Sequence, residues 1–259
     1  MLRKWMFLAV ILVTVVLALF PAGTTQVTLS DPGLKTAIKP AGVIRIWDLR
    51  ELTVLWSPKR DITDLSGLEH CTRLIRIHLD DNQLTDVSIL ASLTQLSYLN
   101  LSGNQLTDIS PLASLTNLAS LNLSGNQLTD ISPLASLTQL SHLDLSGNQL
   151  TDISPLASLT QLSHLDLSDN QLTDISPLAS LTNLTSLILS KNQLSNISPL
   201  FSLKVLTTVY IDDNNVRDIS PLLFLPNLSE LWLYNNPLNS TSATIYISEF
   251  KKRRVMVFW

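Results

Sequence analysis

Two pairs of residues invite a chemical reading. His142 and Asp144 recur 22 residues later as His164 and Asp166. Two imidazoles and two carboxylates brought side by side have the donor types that hold Zn²⁺. With the many serines of the chain they also contain the residue types of a hydrolytic site. Yet each recurs as part of a repeated text, so duplication alone explains the matching. No outer layer of supporting groups can be read from the sequence, and no serine stands in a strained elbow. The expectation is a wet polar face with no catalytic residue, no metal and no cofactor.

The element that must place these residues is the repeat itself. Its clearest wording, LTQLSHLDLSGNQLTDISPLAS, returns every 22 residues between Leu74 and Leu238. Asparagine marks each copy, at Asn82, Asn104, Asn126, Asn148, Asn170, Asn192, Asn214 and Asn236. A fixed period of this length decides the architecture before any local pattern does. Around Asn104 the segment Ser97–Ser102 alternates, with Leu99 and Leu101 on one face and Tyr98, Asn100 and Ser102 on the other, which predicts a half-buried strand. Ser110-Pro111 then reads as a helix cap with a first-turn proline. The run after it suits only a 3-10 or single helical turn. One coil hides its leucines only against the next. The repeated asparagine, at the exit from each strand, suits backbone groups that the corner leaves buried.

This wording closely resembles the leucine-rich repeat in its bacterial, internalin-like and SDS22-like form, from Asp31 to the C-terminus. The resemblance implies an α/β solenoid: a right-handed superhelix with a concave parallel sheet, short 3-10 turns on the convex side and a cap at each end. It also implies a binding protein rather than an enzyme.

Composition narrows the options further. The 259 residues are 45% hydrophobic and carry a formal charge of −4, which leaves no global basic field for nucleic acid. Seven glycines argue against phosphate-binding loops, and the one cysteine, Cys71, allows no internal disulfide; it is expected to be an apolar filler. The acidic pairs Asp80-Asp81 and Asp212-Asp213 lack the oxygen spacing for Ca²⁺. Sequons at Asn100, Asn122, Asn183, Asn196, Asn227 and Asn239 follow from the repeat wording.

Residues 1–25 differ. Arg3 and Lys4 precede 16 uncharged residues, Trp5–Phe20, and then Pro21-Ala22-Gly23. This reads as a secretory signal sequence, with an uncleaved membrane anchor as the alternative. Either way the repeats are expected outside a cytoplasmic membrane: secreted, periplasmic or at the cell surface.

Residues 26–51 are expected to form an N-terminal helical cap, opened by Asp31-Pro32, broken at Pro40-Ala41-Gly42 and resumed at Trp47–Leu52. Coils occupy 52–238, one degraded and eight regular, with Arg60 at the asparagine position of the first. Residues 239–259 are expected to close the solenoid as a helix over Ala243–Arg254, with Ile247, Phe250 and Arg254 on one side, and a strand over Val255–Trp259. The basic run Lys251–Arg254 reads as a solvated helix end.

Three positions per coil face outward from the sheet, at six, four and two residues before the asparagine. In the middle coils they are small, polar and nearly identical. The residue types that anchor interfaces gather late in the chain, at Tyr210, Trp232 and Tyr234, flanked by Asp212, Asp213 and Glu230. A weaker second group is Arg76, His78 and Tyr98. Packing of Trp232 and Tyr234 beneath the C-terminal cap is the open alternative.

The expected function is a non-catalytic, exported, monomeric module that binds a protein or surface polymer on its concave face, without nucleic acid. Membrane contact would come only through residues 1–25. A structural cell-envelope spacer and an intracellular SDS22-like regulatory subunit stand as alternatives.

Overall fold

The computed structural model describes residues 28–38 and 46–259. The expected leader over 1–25 and the break at Pro40-Ala41-Gly42 lie outside the described residues, as does the side chain of Trp47. Two short helices come first, α1 (Pro32–Ile38) and α2 (Ile46–Arg50). Asp31 caps α1: its Oδ1 accepts the Leu34 N–H at 3.0 Å. Its other oxygen accepts the Thr63 N–H at 2.8 Å, which staples the cap to the first coil.

Ten three-residue strands follow in one parallel sheet, in chain order without crossover. They are β1 (Val54–Trp56), β2 (Arg76–His78), β3 (Tyr98–Asn100), β4 (Ser120–Asn122), β5 (His142–Asp144), β6 (His164–Asp166), β7 (Ser186–Ile188), β8 (Thr208–Tyr210), β9 (Glu230–Trp232) and β10 (Met256–Phe258). The strand expected over Ser97–Ser102 is shorter, but its pairing continues past β3 through Leu101 N–H to Asn122 O and Gly103 N–H to Ser124 O. From β1 to β9 each strand pairs with the next at a constant shift of 22 residues. Every outward position therefore forms a straight column across the sheet.

Between β1 and β9 the chain returns through 3-10 turns, such as Ser110–Ser114 and Ser132–Ser136. Here one local expectation fails. Ser110 is not the cap but the first helical residue. Asp108 takes the capping role: its Oδ1 accepts the Ser110 N–H at 2.7 Å and its Oδ2 the Ser110 hydroxyl at 3.0 Å. Two carboxylate oxygens satisfy both donors of the serine at once, which the serine's own hydroxyl could not do.

The inward-facing leucines and isoleucines of the coils are buried in one continuous core. Each marker asparagine binds backbone around the corner. Asn148 Oδ1 accepts the Leu128 N–H at 3.0 Å, while its Nδ2 donates to the carbonyls of Leu123 and Leu145 at 3.1 and 3.0 Å. One side chain thus ties two successive coils together. The residue just before each asparagine is left-handed. It is glycine only at Gly103, Gly125 and Gly147 (φ 62–63°), while Asp81, Asp169, Lys191, Asp213 and Asn235 adopt φ of 53–55°.

The two ends depart from the repeat. In the degraded first coil Ser57 stands where later coils have leucine (Leu79, Leu101), and its hydroxyl is buried without a partner. Cys71 is buried as expected; burial pushes its thiol up to about 12, with the Glu69 charge adding to it. At the C-terminus a π-turn, Ser242–Tyr246, leads into α3 (Ile247–Lys252). Ile247 and Phe250 are buried, but Arg254 is left-handed at φ 62° beyond the helix rather than on its face. The basic run is not wholly solvated either. Arg253 donates to Leu223 O at 2.9 Å and to Leu225 O, capping carbonyls that no further coil would reach.

Candidate functional site

The concave face presents three columns. The middle one reads Trp56, His78, Asn100, Asn122, Asp144, Asp166, Ile188, Tyr210, Trp232, Phe258 in strict register. It is aromatic at both ends and amide or carboxylate in the centre.

At the C-terminal end Trp232 lies between two rings. It stacks on Phe258 at 4.3 Å and meets Tyr210 at 5.4 Å. Glu230 locks this group: one carboxylate oxygen accepts the Trp232 indole N–H at 2.8 Å and the Tyr210 hydroxyl at 3.0 Å. Burial and the bond to Glu230 push the Tyr210 hydroxyl above its ordinary pKa, so it stays a neutral donor. Tyr234 sits edge-on to Trp232 at 6.0 Å and remains 45% exposed. Asp212 accepts the Ser190 hydroxyl at 2.6 Å. The two open readings of the aromatics divide by residue: Trp232 packs on the cap strand β10, whereas Tyr234 faces solvent.

At the N-terminal end three rings lie against one another, tilted, across three strands. Trp56 and His78 are 4.1 Å apart, and His78 and Tyr98 are 4.6 Å apart. Burial lowers the His78 pKa; Arg76 also lowers it, and Asp80 opposes. Trp56 is 61% exposed, and sequence reasoning missed it. Its signal was available, 22 residues before His78, in a coil dismissed as degraded. Phe258 was missed because the cap places it 26 residues after Trp232.

In the centre His142 and His164 are stacked at 4.3 Å with an interplanar angle of 9°. Burial lowers the His142 pKa, and His164 adds to the shift. Asp144 and Asp166 sit beside each other in register. Each gives one oxygen to a serine two residues on, Ser146 and Ser168. Among the described residues no three His, Cys, Asp or Glu side chains converge as a metal cage. The depression beside this region is open and shallow, lined by small residues such as Ser124, Gly125, Ser146 and Gly147. Nothing there excludes water from a reacting group.

Among the described residues no helix is long and apolar enough to cross a membrane.

The family of paired leucine-rich repeats matches residues 72–114, 94–136, 116–158, 138–180 and 160–202. Internalin C2 of Listeria monocytogenes is 39% identical, with a TM-score of 0.74 over 81% of this chain and 93% of that one. Internalin inlF of the same organism is 34% identical, with a TM-score of 0.79 over 87% of this chain and 66% of that one. A leucine-rich repeat protein of Leptospira interrogans shares the fold at 24% identity, with a TM-score of 0.72 over 83% of this chain and 62% of that one. No curated protein matches.

Proposed function

The chain belongs to the bacterial, internalin-like leucine-rich repeat proteins, and from that premise we propose that it is an exported, non-catalytic module that grips a partner protein with the aromatic C-terminal end of its concave face. Proteins related in this way typically mediate protein–protein interaction. The observation that carries the assignment is the pre-set cluster of Tyr210, Glu230 and Trp232 with Tyr234 exposed beside it. Rings already held by mutual contact and by a shared carboxylate lose little freedom on binding. Asp212 and Asp213 add negative charge at the rim, which favours a partner with basic side chains. Arg76, His78 and Tyr98, now joined by Trp56, form a second contact area. A monomer engaging one partner along the column fits this arrangement, and membrane attachment would require residues 1–25. A leader over 1–25, caps over 26–51 and 239–259 and coils over 52–238 belong to the same reading.

The test uses the purified chain as bait for host-cell and envelope extracts, with the Tyr234→Ser chain as control. Tyr234 is the position to change, because Trp232 also supports the cap. A partner retained by the parent chain and lost by the variant, with the melting temperature unchanged, supports the reading. Equal capture by both chains, or capture by neither, overturns it and favours an envelope spacer.

A further inference from the structure

The register of β8 and β9 sets a square of side chains on the concave face. Tyr210 lies opposite Trp232. The pairing runs on past both strands, with the Asp213 N–H bound to Tyr234 O at 2.8 Å, so Asp212 lies opposite Tyr234. Three corners are aromatic and the fourth is a carboxylate. The rings stand at an angle to one another: the Tyr210 and Trp232 planes meet at 50°, and those of Trp232 and Tyr234 at 68°. A ring is negative on its face and positive at its edge, so rings inclined in this way keep part of their negative faces unstacked.

The carboxylates around the square are half used. Asp212 Oδ1 accepts the Ser190 hydroxyl and Asp213 Oδ1 the Asn235 amide, each at 2.6 Å, while Glu230 Oε1 accepts both the Trp232 indole and the Tyr210 hydroxyl. The second oxygen of each has no donor among the described residues. Nor does any of the three form an ion pair among them. Lys191, one coil before Asp213 in the same corner column, is not within bonding distance of it. The chain's own cations sit over other rings, Lys204 over Phe201 and Lys251 over Trp259. Three rings and three carboxylates thus face solvent with no cation of their own chain among them.

We infer that this square seats an arginine side chain of the partner protein, its guanidinium laid against the Trp232 and Tyr234 rings and donating to the free oxygen of Asp212. The seat rests on the proposed use of this end of the face to grip a partner, and it names the chemistry gripped. A guanidinium is planar, stacks on aromatic faces, carries several N–H donors in a fixed fork and is more weakly hydrated than an ammonium. A quaternary ammonium suits the rings but leaves the carboxylate oxygen without a donor. A lysine ammonium answers the carboxylate but must shed a tightly held water shell to lie on the rings. Ser190 already holds Asp212, and Glu230 already holds two of the rings, so little remains to be ordered when the guanidinium enters.

The probe is a terminally blocked Gly-Arg-Gly peptide, titrated into the purified chain and followed by the indole ¹H–¹⁵N signal of Trp232, which Trp232→Phe identifies. Parallel titrations use Gly-Lys-Gly, Gly-citrulline-Gly and tetramethylammonium. The arginine peptide should shift the signal saturably and bind more tightly than the other three. Asp212→Ser should weaken it about tenfold or more, the worth of one hydrogen bond to a charged group. Its folding has a precedent in Ser190, which lies opposite Asp212 in the same column. Asp212→Asn, of the same shape without the charge, should give the same loss. Asp144→Asn, which copies Asn122 of the neighbouring strand, should leave binding unchanged. No saturable shift, equal binding of any of the other three probes, or binding undiminished in both Asp212 variants would overturn the arginine seat. The extract capture separates this from the wider reading. Capture lost in Tyr234→Ser but intact in Asp212→Ser would sink the seat and leave the gripping face standing, whereas capture by no chain would sink the face itself.

Discussion

The middle of the ladder and its C-terminal end are built from the same repeat but behave differently. From Ser110 to Ser180 the turn SPLAS is copied without change, and its geometry is copied too. The residue after each turn has ψ of 52°, 53°, 53° and 56° at Leu115, Leu137, Leu159 and Leu181. The value then rises to 67° at Leu203 and 101° at Leu225, as the wording becomes SPLFS and SPLLF. A convex ladder of serine hydroxyls, Ser114 to Ala91 O through Ser202 to Ala179 O, stops where Phe224 replaces serine. Lys204 covers the Phe224 carbonyl instead, at 3.2 Å, and lies over the Phe201 ring at 3.7 Å. The contrast teaches that a uniform text gives uniform coils, while departures from it change the turn geometry and bring in large side chains.

The largest break of this contrast is expected from the uniform region. Asn148→Ala leaves the Leu128 N–H unpaired and takes one of two amide donors from each of the Leu123 and Leu145 carbonyls, which keep Asn126 and Asn170. It should cost about 2–4 kcal/mol, since one buried unpaired N–H costs about 1–3 kcal/mol and each further hydrogen bond lost about 1 kcal/mol. Urea unfolding measures it, and a loss below 1 kcal/mol would mean that the asparagine column is not what holds the coils.

At the variable end, Trp232→Ala removes a stacked, half-buried ring and the partner of Glu230. A loss of about 1–3 kcal/mol is expected. A neutral result would show that β10 docks without it.

A smaller effect of opposite sign belongs to the degraded first coil. Ser57→Ala deletes a buried hydroxyl without a partner and should stabilise by about 1 kcal/mol, raising the melting temperature by about 2–4 °C. A lower melting temperature would show that this hydroxyl is satisfied in solution.

Smaller still is a swap between regions. Gly147→Asp introduces the residue that Asp169 already is at the same left-handed corner, so its cost should stay within about 0.5 kcal/mol. Gly147→Val, with a branched side chain at φ 63°, should cost more than about 1 kcal/mol. Equal costs for the two would mean that the corner is not governed by backbone preference.

The smallest effect is one of pH. Burial lowers the folded-state pKa of His78 below its ordinary 6.5, so the unfolded chain binds that proton first. Stability from this residue is therefore complete above pH 6.5 and declines as the pH falls below it. His78→Gln should flatten that acid limb of the melting curve, and an unaltered limb would place the cause elsewhere.

The fold was legible because period outweighs local ambiguity. Eight asparagines in phase settle the sheet, its register and its buried face together. Local detail was less so. Ser110-Pro111 matched a cap pattern, and nothing in one dimension shows that Asp108 reaches both serine donors first. The outward columns followed from counting back from each asparagine. That counting stopped at the first coil, whose asparagine is Arg60, and so passed over Trp56. It failed again at Phe258, where the cap helix breaks the period.

The straight register from β1 to β9 makes the molecule a caliper. Its two aromatic jaws, at Trp56 and Trp232, are separated by identical shims, each about 4.8 Å thick. Gain or loss of one 22-residue shim between Gly125 and Gly147 changes the opening by that step and leaves both jaws as they were. Reach can thus be retuned in fixed increments by unequal recombination within the near-identical text.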